Sequence, residues 1–562
     1  MGGAGDLTPD ERARVAQYVT DPEGPVFALL GLPEAVKGAL FARYSRSANS
    51  VRRLLLDEFL PDPEGTVPSR GQSQSGDSPS AGTVPSAGLS PDVGEDRARE
   101  FFQRVLADYG DDSVAQLGGA HVAVEGISNV LTKVIEWGRL ASYLEQSTRY
   151  VPYTEKQAGR WKYVRPPGIA AHPDLLARYE AVLDDAFATY TRLFEAVLAH
   201  LTQQEGGGDD PAVQRTLRAR ALDAVRGLLP AATTANLGVY ASGQAWEQMV
   251  IRLRAHPLAE AREVGDQVLA ALRQVIPDFL TRTDRPDRGE RMGAYRAATD
   301  ARAAAMWRDL EGTVPALGLS RGGDSPSAGT VPGVNLLSHD ADGERRVLAH
   351  ALWPASDTDL EQVRACVDAM GIGDVRAALA RWAAGRADRR ERPGRALEAT
   401  SYLFEVTCDY GAYRDLQRHR ILTLEAQPLG ADLGFEPSPD VAAVGLHDEY
   451  DRVNRASAAL WREVLDVVPD EAPYAVTMAH RLRFLVRMNA REAMHLIELR
   501  SQPQGHAAYR RVAQDMLVAI RDQADHPGIA GLMDFADMSD AGDRLAQERR
   551  TEARRAADTV DP

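Results

Sequence analysis

Cysteine is nearly absent from this chain of 562 residues, which contains only Cys366 and Cys408. Two cysteines cannot build a disulfide framework, and this pair has no metal-ligand spacing. We therefore expect both to be small buried residues in a reducing compartment. The sequence also lacks an apolar run long enough to cross a membrane, and its first residues show no basic-then-apolar signal pattern. These absences predict a cytoplasmic protein without a membrane partner.

The chain also has fewer basic than acidic residues. It contains 65 Lys and Arg against 81 Asp and Glu, which gives a net charge of −16. DNA and RNA need a broad basic face, so this balance argues against a nucleic-acid partner. A small phosphate ligand remains compatible with it, since a few converging arginines suffice. The 44% apolar and 26% charged residues are ordinary for a soluble globular protein, and the length predicts two or three domains.

A low-complexity repeat interrupts the chain twice. Residues 64–85 and 311–332 align without gaps and match at 17 of 22 positions. Both consist mainly of Gly, Ser, Pro and Thr, so they have almost nothing to bury. We expect them to be disordered, expendable inserts.

The inserts suggest where the domains begin and end. We predict a front domain at 1–300, with a disordered insert at about 63–96, and a back domain at 345–535. A linker at 301–344 would carry the second repeat, and a charged tail would occupy 536–562.

The back half contains a predicted strand, helix cap and helix in succession. Alternating apolar residues from Arg481 to Met488 predict a strand with one buried face. Asn489 then stands where a helix N-cap belongs, with Glu492 as its capping-box partner. The helix is predicted to run to Arg500.

The front half repeats this order. Leu237, Val239 and Ala241 alternate, Ser242 is the candidate cap, and the following helix ends at Arg254. Its predicted core residues have helical spacing: Trp246, Met249, Val250 and Leu253.

A second shared element lies upstream in each half. In the front half, a helix is predicted from five residues at helical spacing: Ile127, Val130, Leu131, Val134 and Gly138. In the back half, Tyr402, Phe404 and Val406 predict a strand, after which Asp409 can cap a helix that carries the sequence QRHR. Strands interleaved with helices around two similar cores indicate a tandem α+β fold.

The sequence EQSTRY is the first candidate site. In an extended segment Glu145, Ser147 and Arg149 would share one face. A hydroxyl beside a guanidinium suits a phosphate monoester, and the carboxylate could accept a hydrogen bond from a base or sugar. A solvated loop with a Glu–Arg ion pair explains the same spacing.

Arg418, His419 and Arg420 form the second candidate. On a helix these side chains would spread over much of the circumference, so a single surface salt bridge cannot serve them all. If buried, they need an anionic or electron-rich partner such as a reduced flavin, and Arg414 would extend the positive patch. A basic helix end favoured by the helix dipole is the alternative.

The third candidate is the helix start at Asn489 and Arg491. Its free backbone N–H groups could bind an anion, with Arg500 reaching a neighbouring site. Capping together with surface charge explains these residues equally well.

Together the motifs resemble those of the flavin-dependent thymidylate synthase (ThyX) family. EQSTRY resembles the S-x-R-Y motif, and Arg226 in RGLLP matches the R-x-x-L-P position. QRHR resembles the flavin-contacting motif, and NAREAMHLIELR resembles the C-terminal motif. Arg254 and Arg500 correspond to the arginine that closes that motif. The resemblance covers most of the chain outside the inserts and tail.

This resemblance implies two fused, unequal ThyX-like domains, each a mixed or antiparallel sheet packed with helices. It implies that dUMP is methylated to dTMP with methylenetetrahydrofolate as carbon donor, FAD as hydride carrier and NADPH as reductant. It implies no metal and no side-chain nucleophile. The FAD-binding residues would be Arg418, His419, Arg420, Asn489 and Arg491. The dUMP-binding residues would be Glu145, Ser147, Arg149, Arg226, Arg254 and Arg500.

Each half departs from the family pattern. The front half has Trp137-Gly138-Arg139 at the RHR position, and the back half lacks the S-x-R-Y stretch and has Pro473 near the R-x-x-L-P arginine. We therefore hypothesise that the halves are complementary and that a homodimer forms a pseudo-tetramer. A catalytically degenerate homologue and a flavoenzyme acting on another uridine-like substrate remain as alternatives.

Overall fold

The structure is a computed structural model that describes residues 7–44, 47, 49–60, 114–205, 210–312, 333–539 and 549. It divides into two compact units. The first unit comprises Met1–Val124, Leu140–Leu144 and Leu237–Met306. The second unit comprises Glu125–Arg139, Glu145–Asn236 and Trp307–Pro562.

The predicted disordered inserts lie outside the described residues, apart from residues 311 and 312, and so does almost all of the predicted tail. The predicted domain limits stay predictions.

The described segments contain nineteen α-helices and seven strands. The helices of the N-terminal 312 residues are α1 (Pro9–Val15), α2 (Glu34–Tyr44), α3 (Val51–Leu54), α4 (Asn129–Ile135), α5 (Pro167–Ala170), α6 (Pro173–Glu205), α7 (Pro211–Val225), α8 (Gly243–Arg254), α9 (Ala259–Leu272) and α10 (Gly289–Glu311). The later helices are α11 (Gly343–Leu352), α12 (Leu360–Asp368), α13 (Ile372–Trp382), α14 (Tyr410–Leu416), α15 (Pro439–Ala443), α16 (His447–Val467), α17 (Ala490–Arg500), α18 (Ala507–Val518) and α19 (Pro527–Ala530). The strands are β1 (Gly119–Ser128), β2 (Ala141–Glu145), β3 (Thr234–Ser242), β4 (Gly333–His339), β5 (Ser401–Asp409), β6 (Thr423–Ala426) and β7 (Arg481–Asn489). Strand β4 falls within the segment predicted as a linker.

Most of a three-stranded sheet, in the order β1-β3-β2, lies in the first unit. The predicted strand β3 is confirmed, with Leu237, Val239 and Ala241 buried on one face. Ser242 accepts a hydrogen bond from the Ala245 backbone N–H and caps α8, as predicted. Trp246 is fully buried there and donates its indole N–H to the Ala120 carbonyl.

The second unit contains an antiparallel four-stranded sheet in the order β4-β5-β7-β6. Strands β5 and β7 form its centre, with Tyr402 opposite Met488 and Phe404 opposite Val486. These four side chains are buried, as their alternation predicts. The predicted α+β class is therefore confirmed.

Each central strand of this sheet runs directly into a helix. Asp409 ends β5 and caps α14 by accepting the Ala412 N–H at 2.9 Å. Asn489 ends β7 and caps α17 by accepting the Glu492 N–H at 2.9 Å. Because β5 and β7 are antiparallel, the two helices begin at opposite ends of the strand pair.

Several local predictions are wrong. Ile127 belongs to β1 rather than to the following helix, and α4 ends at Ile135, before Trp137 and Gly138. Helix α14 ends at Leu416, so the Arg418–Arg420 segment follows the helix instead of circling it.

The environment of three other predicted features also differs. The extended segment ends at Glu145, and residues 147–151 form a turn in which the Val151 N–H donates to the Ser147 carbonyl at 3.0 Å. The Glu492 carboxylate does not complete a capping box, because it bonds His419 instead. Cys366 is exposed, whereas Cys408 is buried as expected. Among the described residues, no helix is long and apolar enough to span a membrane.

Candidate functional site

Glu145, the last residue of β2, lies at the centre of a buried charge network in the second unit. Its side chain has no exposed surface. The carboxylate accepts hydrogen bonds from Arg414 at 2.8 Å, Arg418 at 3.0 Å, Lys133 at 3.1 Å and the Thr132 hydroxyl at 3.0 Å. Burial opposes ionisation, but the three cations outweigh it and hold the pKa of Glu145 well below its usual range. Glu145 therefore orders the basic groups around it.

A second buried carboxylate, Asp415, stands among three arginines. Its oxygens lie 3.7 Å from nitrogens of Arg226, Arg418 and Arg500. Burial favours the neutral acid, yet these guanidinium groups lower the pKa of Asp415. We call Arg226, Arg414, Arg418 and Arg500, together with Glu145 and Asp415, the arginine cluster. It joins two predicted site residues of the front half, Glu145 and Arg226, to residues of the back half.

The arginine cluster keeps donors that protein acceptors do not use. Arg418 makes one hydrogen bond among the described residues, to Glu145, and Arg500 makes one, to His419. The Arg418 side chain is 39% exposed and that of Arg500 is 14% exposed, so both have a route to solvent. Two arginines with spare N–H groups are suited to an anionic oxygen ligand.

Arg226 is the third arginine beside Asp415, and it lies in the 3-10 turn Arg226–Leu228 that follows α7. Its Nε and Nη2 are buried without a hydrogen-bond acceptor in the described segments. Both nitrogens pack closely against Gly411, because a Cβ atom added at that residue would lie 3.2 Å from each of them. Asp409 is 3.9 Å from Nη2, and burial raises the pKa of Asp409 to about 6 although Arg226 opposes this. Arg226 thus adds positive charge without itself facing solvent.

Arg149 is committed to protein acceptors. It donates two hydrogen bonds to Asp223, both at 2.7 Å, one to the Tyr509 hydroxyl and one to the Gln504 carbonyl. Asp223 is buried, and the charge of Arg149 overcomes that burial and lowers the pKa of Asp223 to about 2. Ser147 accepts the Arg149 backbone N–H at 3.2 Å. In this arrangement Arg149 ties the turn to α7 and α18.

His419 connects the predicted flavin motif to Arg500. Its Nδ1 lies 2.9 Å from Glu492, and its Nε2 accepts a hydrogen bond from Arg500 Nε at 3.1 Å. Burial, reinforced by the charge of Arg500, lowers the pKa of His419 to about 4. The imidazole is therefore neutral near pH 7.

A cleft opens beside His419 in the same unit. It is lined by Glu136, Trp137, Arg139, Gln417, His419, Arg420, Leu422, Leu424 and Glu425. Arg139 donates to the Thr423 hydroxyl at 3.1 Å, while Arg420 has no hydrogen bond or ion pair with a described residue. The cleft therefore brings the Trp137-Gly138-Arg139 segment of the front half to the Arg418-His419-Arg420 segment of the back half.

Three predicted site residues lie elsewhere. Asn489 caps α17, and the neighbouring Arg491 lies 3.7 Å from Glu398. Arg254 belongs to the first unit, where it donates to Asp266 at 2.8 Å. Their roles in binding stay predictions.

Sequence reasoning missed four polar residues of the site: Lys133, Asp223, Asp415 and Glu492. Asp415 stands three residues before Arg418, a spacing that could have suggested an ion pair. The sequence predicts Glu492 only as the capping-box partner of Asn489. Lys133 and Asp223 give no local signal, because their partners are distant in sequence.

Comparison with known proteins shows clear relatives. A family model described as thymidylate synthase complementing protein matches residues 69–278 and 335–525. A UPF0159 protein of Chlamydia muridarum is 35% identical over 98% of this chain and 99% of its own length. A flavin-dependent thymidylate synthase of Mycolicibacterium gilvum is 30% identical over 32% of this chain and 68% of its own length.

Solved structures give a weaker match. The structure of a flavin-dependent thymidylate synthase ThyX from Helicobacter pylori, complexed with FAD and dUMP, is 16% identical with a TM-score of 0.26. The similarity covers 33% of this chain and 93% of that one.

Proposed function

This chain belongs to the thymidylate synthase complementing protein family, and on that premise we propose that it is a flavin-dependent thymidylate synthase-like enzyme. It would use FAD to methylate dUMP to dTMP, with methylenetetrahydrofolate as carbon donor and NADPH as reductant. The similarity to the Mycolicibacterium gilvum flavin-dependent thymidylate synthase supports this assignment. Membership of this family supports a flavin cofactor, and the arginine cluster supports a site for the nucleotide phosphate.

One observation carries the proposal: Arg418 and Arg500 each use one hydrogen bond among the described residues, to Glu145 and His419, and keep further N–H donors. Both side chains have a route to solvent, so these donors can bind an anionic oxygen of a ligand. The phosphate of dUMP is such an anion: Arg418 and Arg500 would donate to it, and Arg226 would add positive charge. Arg418 thereby moves from the FAD-binding residues that its motif implies to the dUMP-binding residues. Ser147 would complete the phosphate contacts.

We assign the flavin to the cleft beside His419. Trp137 and the leucines offer apolar surface for a planar ring, and Arg139 and Arg420 offer charge for its carbonyl oxygens or its phosphates. When bound, FAD would supply the hydride chemistry. Arg420 would bind the cofactor, and neutral His419 would hold Arg500 in place beside the nucleotide.

Two variants test this division of labour. Ser147→Ala should weaken dUMP binding and leave FAD binding unchanged, and Arg420→Gln should do the reverse. Arg455→Gln, on the exposed face of α16, serves as the control, because Arg455 pairs only with Asp451 among the described residues. Calorimetry with each ligand and the visible absorbance of the purified protein give the readouts. If both variants bind both ligands as the wild type does, the division is wrong.

The involvement of Arg149 with Asp223 and Tyr509 favours a second candidate. Arg149 donates to protein acceptors in each of these hydrogen bonds, which leaves it less able to bind a phosphate. The second candidate is therefore a protein that does not use dUMP as its substrate. A yellow protein that forms no dTMP would indicate a flavoenzyme for another uridine-like substrate. A protein that stays colourless with added FAD would indicate a degenerate homologue.

The assembly belongs to the same proposal. Two chains would associate as a homodimer that resembles a tetramer of single domains. Light scattering of the purified protein would show a mass of about twice 61.1 kDa if this is correct.

A further inference from the structure

Glu492 belongs to the NAREAMHLIELR segment, but none of the predicted ligand-binding roles falls on it. It is buried in the first turn of α17, and its two oxygens face two histidines. Oε1 is 2.9 Å from His419 Nδ1, and Oε2 is 3.5 Å from His495 Nδ1. On the opposite side of the His419 ring, Nε2 is 3.1 Å from Arg500 Nε.

This geometry determines where His419 carries its proton. The guanidinium of Arg500 can only donate, so His419 Nε2 must present a lone pair. A neutral imidazole then holds its single proton on Nδ1, where the Glu492 carboxylate accepts it. A metal ion between His419, Glu492 and His495 would need the Nδ1 lone pair, so this arrangement opposes a metal site.

We infer that Glu492 is a positioning residue for Arg500. It fixes the tautomer of His419, and His419 in turn holds the Arg500 guanidinium in its place within the arginine cluster. Two further contacts limit Arg500, which lies 5.7 Å over the Tyr509 ring and 3.7 Å from Asp415. The chain from Glu492 through His419 to Arg500 thereby links the predicted flavin motif to the predicted phosphate site. The effect on ligands rests on the proposed function, but the tautomer does not.

Helix α17 supplies its own matched control. Glu498 is also buried there, and its oxygens accept two hydrogen bonds from Arg386, at 2.8 and 2.7 Å. We therefore compare Glu492→Leu with Glu498→Leu, because each variant loses one buried carboxylate from the same helix. Glu492→Gln is the conservative rescue, because an amide oxygen can still accept from His419 Nδ1.

The first readout needs no ligand. Nitrogen-15 NMR of histidine-labelled protein, with His419 assigned from a His419→Asn variant, should show the Nδ1–H tautomer in the wild type and in Glu492→Gln. Glu492→Leu should reduce that preference, because Nδ1–H would then lack a partner and only the hydrogen bond from Arg500 to Nε2 would still favour this tautomer. A proton on Nε2 in the wild type, or an unchanged tautomer in Glu492→Leu, would overturn the inference.

The second readout compares dUMP with deoxyuridine, which lacks the phosphate. Glu492→Leu should weaken dUMP about tenfold, the effect of one lost charge-assisted hydrogen bond, and leave deoxyuridine unchanged. Glu492→Gln should restore dUMP affinity, and Glu498→Leu should leave the ratio of the two affinities as it is. An equal loss for both ligands in Glu492→Leu would mean a merely structural role.

The two hypotheses fail in different ways. If the wild type binds neither ligand, the proposed function fails, and the NMR result still decides the role of Glu492. If Glu492→Leu does not fold, Glu492→Asp withdraws the carboxylate by one methylene and should show the same reduction of the tautomer preference. An unchanged tautomer in a folded Glu492→Asp variant would then contradict the inference.

Discussion

Replacing Glu145 by Gln should destabilise the second unit strongly. The change keeps the size of the side chain but removes the charge that Lys133, Arg414 and Arg418 share. An amide has one oxygen to accept with, and its NH₂ group would face cationic donors. Breaking a buried ion pair costs about 3–5 kcal/mol. At about 2 °C per kcal/mol, the unfolding midpoint should fall by about 6 °C or more.

Thermal unfolding followed by circular dichroism measures this shift, with the exposed Glu155→Gln as control. The control should change stability by less than about 0.5 kcal/mol. Because the folded-state pKa of Glu145 is lowered, its contribution is present above the unfolded value of about 4.3 and is lost as the pH falls further. The gap between wild type and Glu145→Gln should therefore narrow in acid. Equal midpoints for Glu145→Gln and Glu155→Gln at pH 7 would refute the charge-network account.

Three further outcomes follow from the same residues. Arg500→Lys keeps the charge but loses the planar fork, so dUMP should bind about tenfold more weakly with deoxyuridine unchanged, as calorimetry would show. Asp409→Asn removes a carboxyl whose pKa is raised to about 6 by burial. That carboxyl stabilises the fold below its unfolded pKa of about 3.9 and loses this contribution as the pH rises towards and through 6, so the wild-type midpoint should fall relative to Asp409→Asn between about pH 4 and 6. In the native protein a thiol reagent should react with one cysteine, Cys366, and reach Cys408 only after denaturation, because burial also raises the pKa of Cys408.

Alternation and capping chemistry made the central strands and their helices predictable. Burial alternates along the whole of β7 and from Ser401 to Val406 in β5, and each strand ends in a residue with a strong capping preference, Asn489 and Asp409. These are local signals, and tertiary contacts do not override them in the structure.

Most of the wrong local predictions concern residues whose contacts are far away in the sequence. Helix α14 stops at Leu416, and the next residue, Gln417, donates to the Lys133 carbonyl, a contact between residues 284 positions apart. Glu492 leaves its local capping role for His419, 73 positions away. Cys366 is different: it stands three residues after buried Val363 and one before buried Val367, so helical spacing places it near the inner side of α12, yet it is exposed.

The candidate site was likewise predictable where its signals are local in the sequence. Motif resemblance identified Arg226, Arg418 and Arg500, since each stands in a recognisable short sequence. It could not show that they surround Asp415, because that carboxylate belongs to no motif and its partners come from three separate segments. The role expected of Arg149 illustrates the limit, since Asp223 and Tyr509 occupy its donors.

Residues of both halves are expected to build one phosphate-binding site in each chain. A calorimetric titration of FAD-saturated wild-type protein with dUMP, repeated with deoxyuridine, tests it most directly. The account predicts one dUMP per chain, bound at least about a hundredfold more tightly than deoxyuridine, because two arginines each donate charge-assisted hydrogen bonds to the phosphate. Two dUMP molecules per chain, or equal affinity for the two ligands, would contradict it.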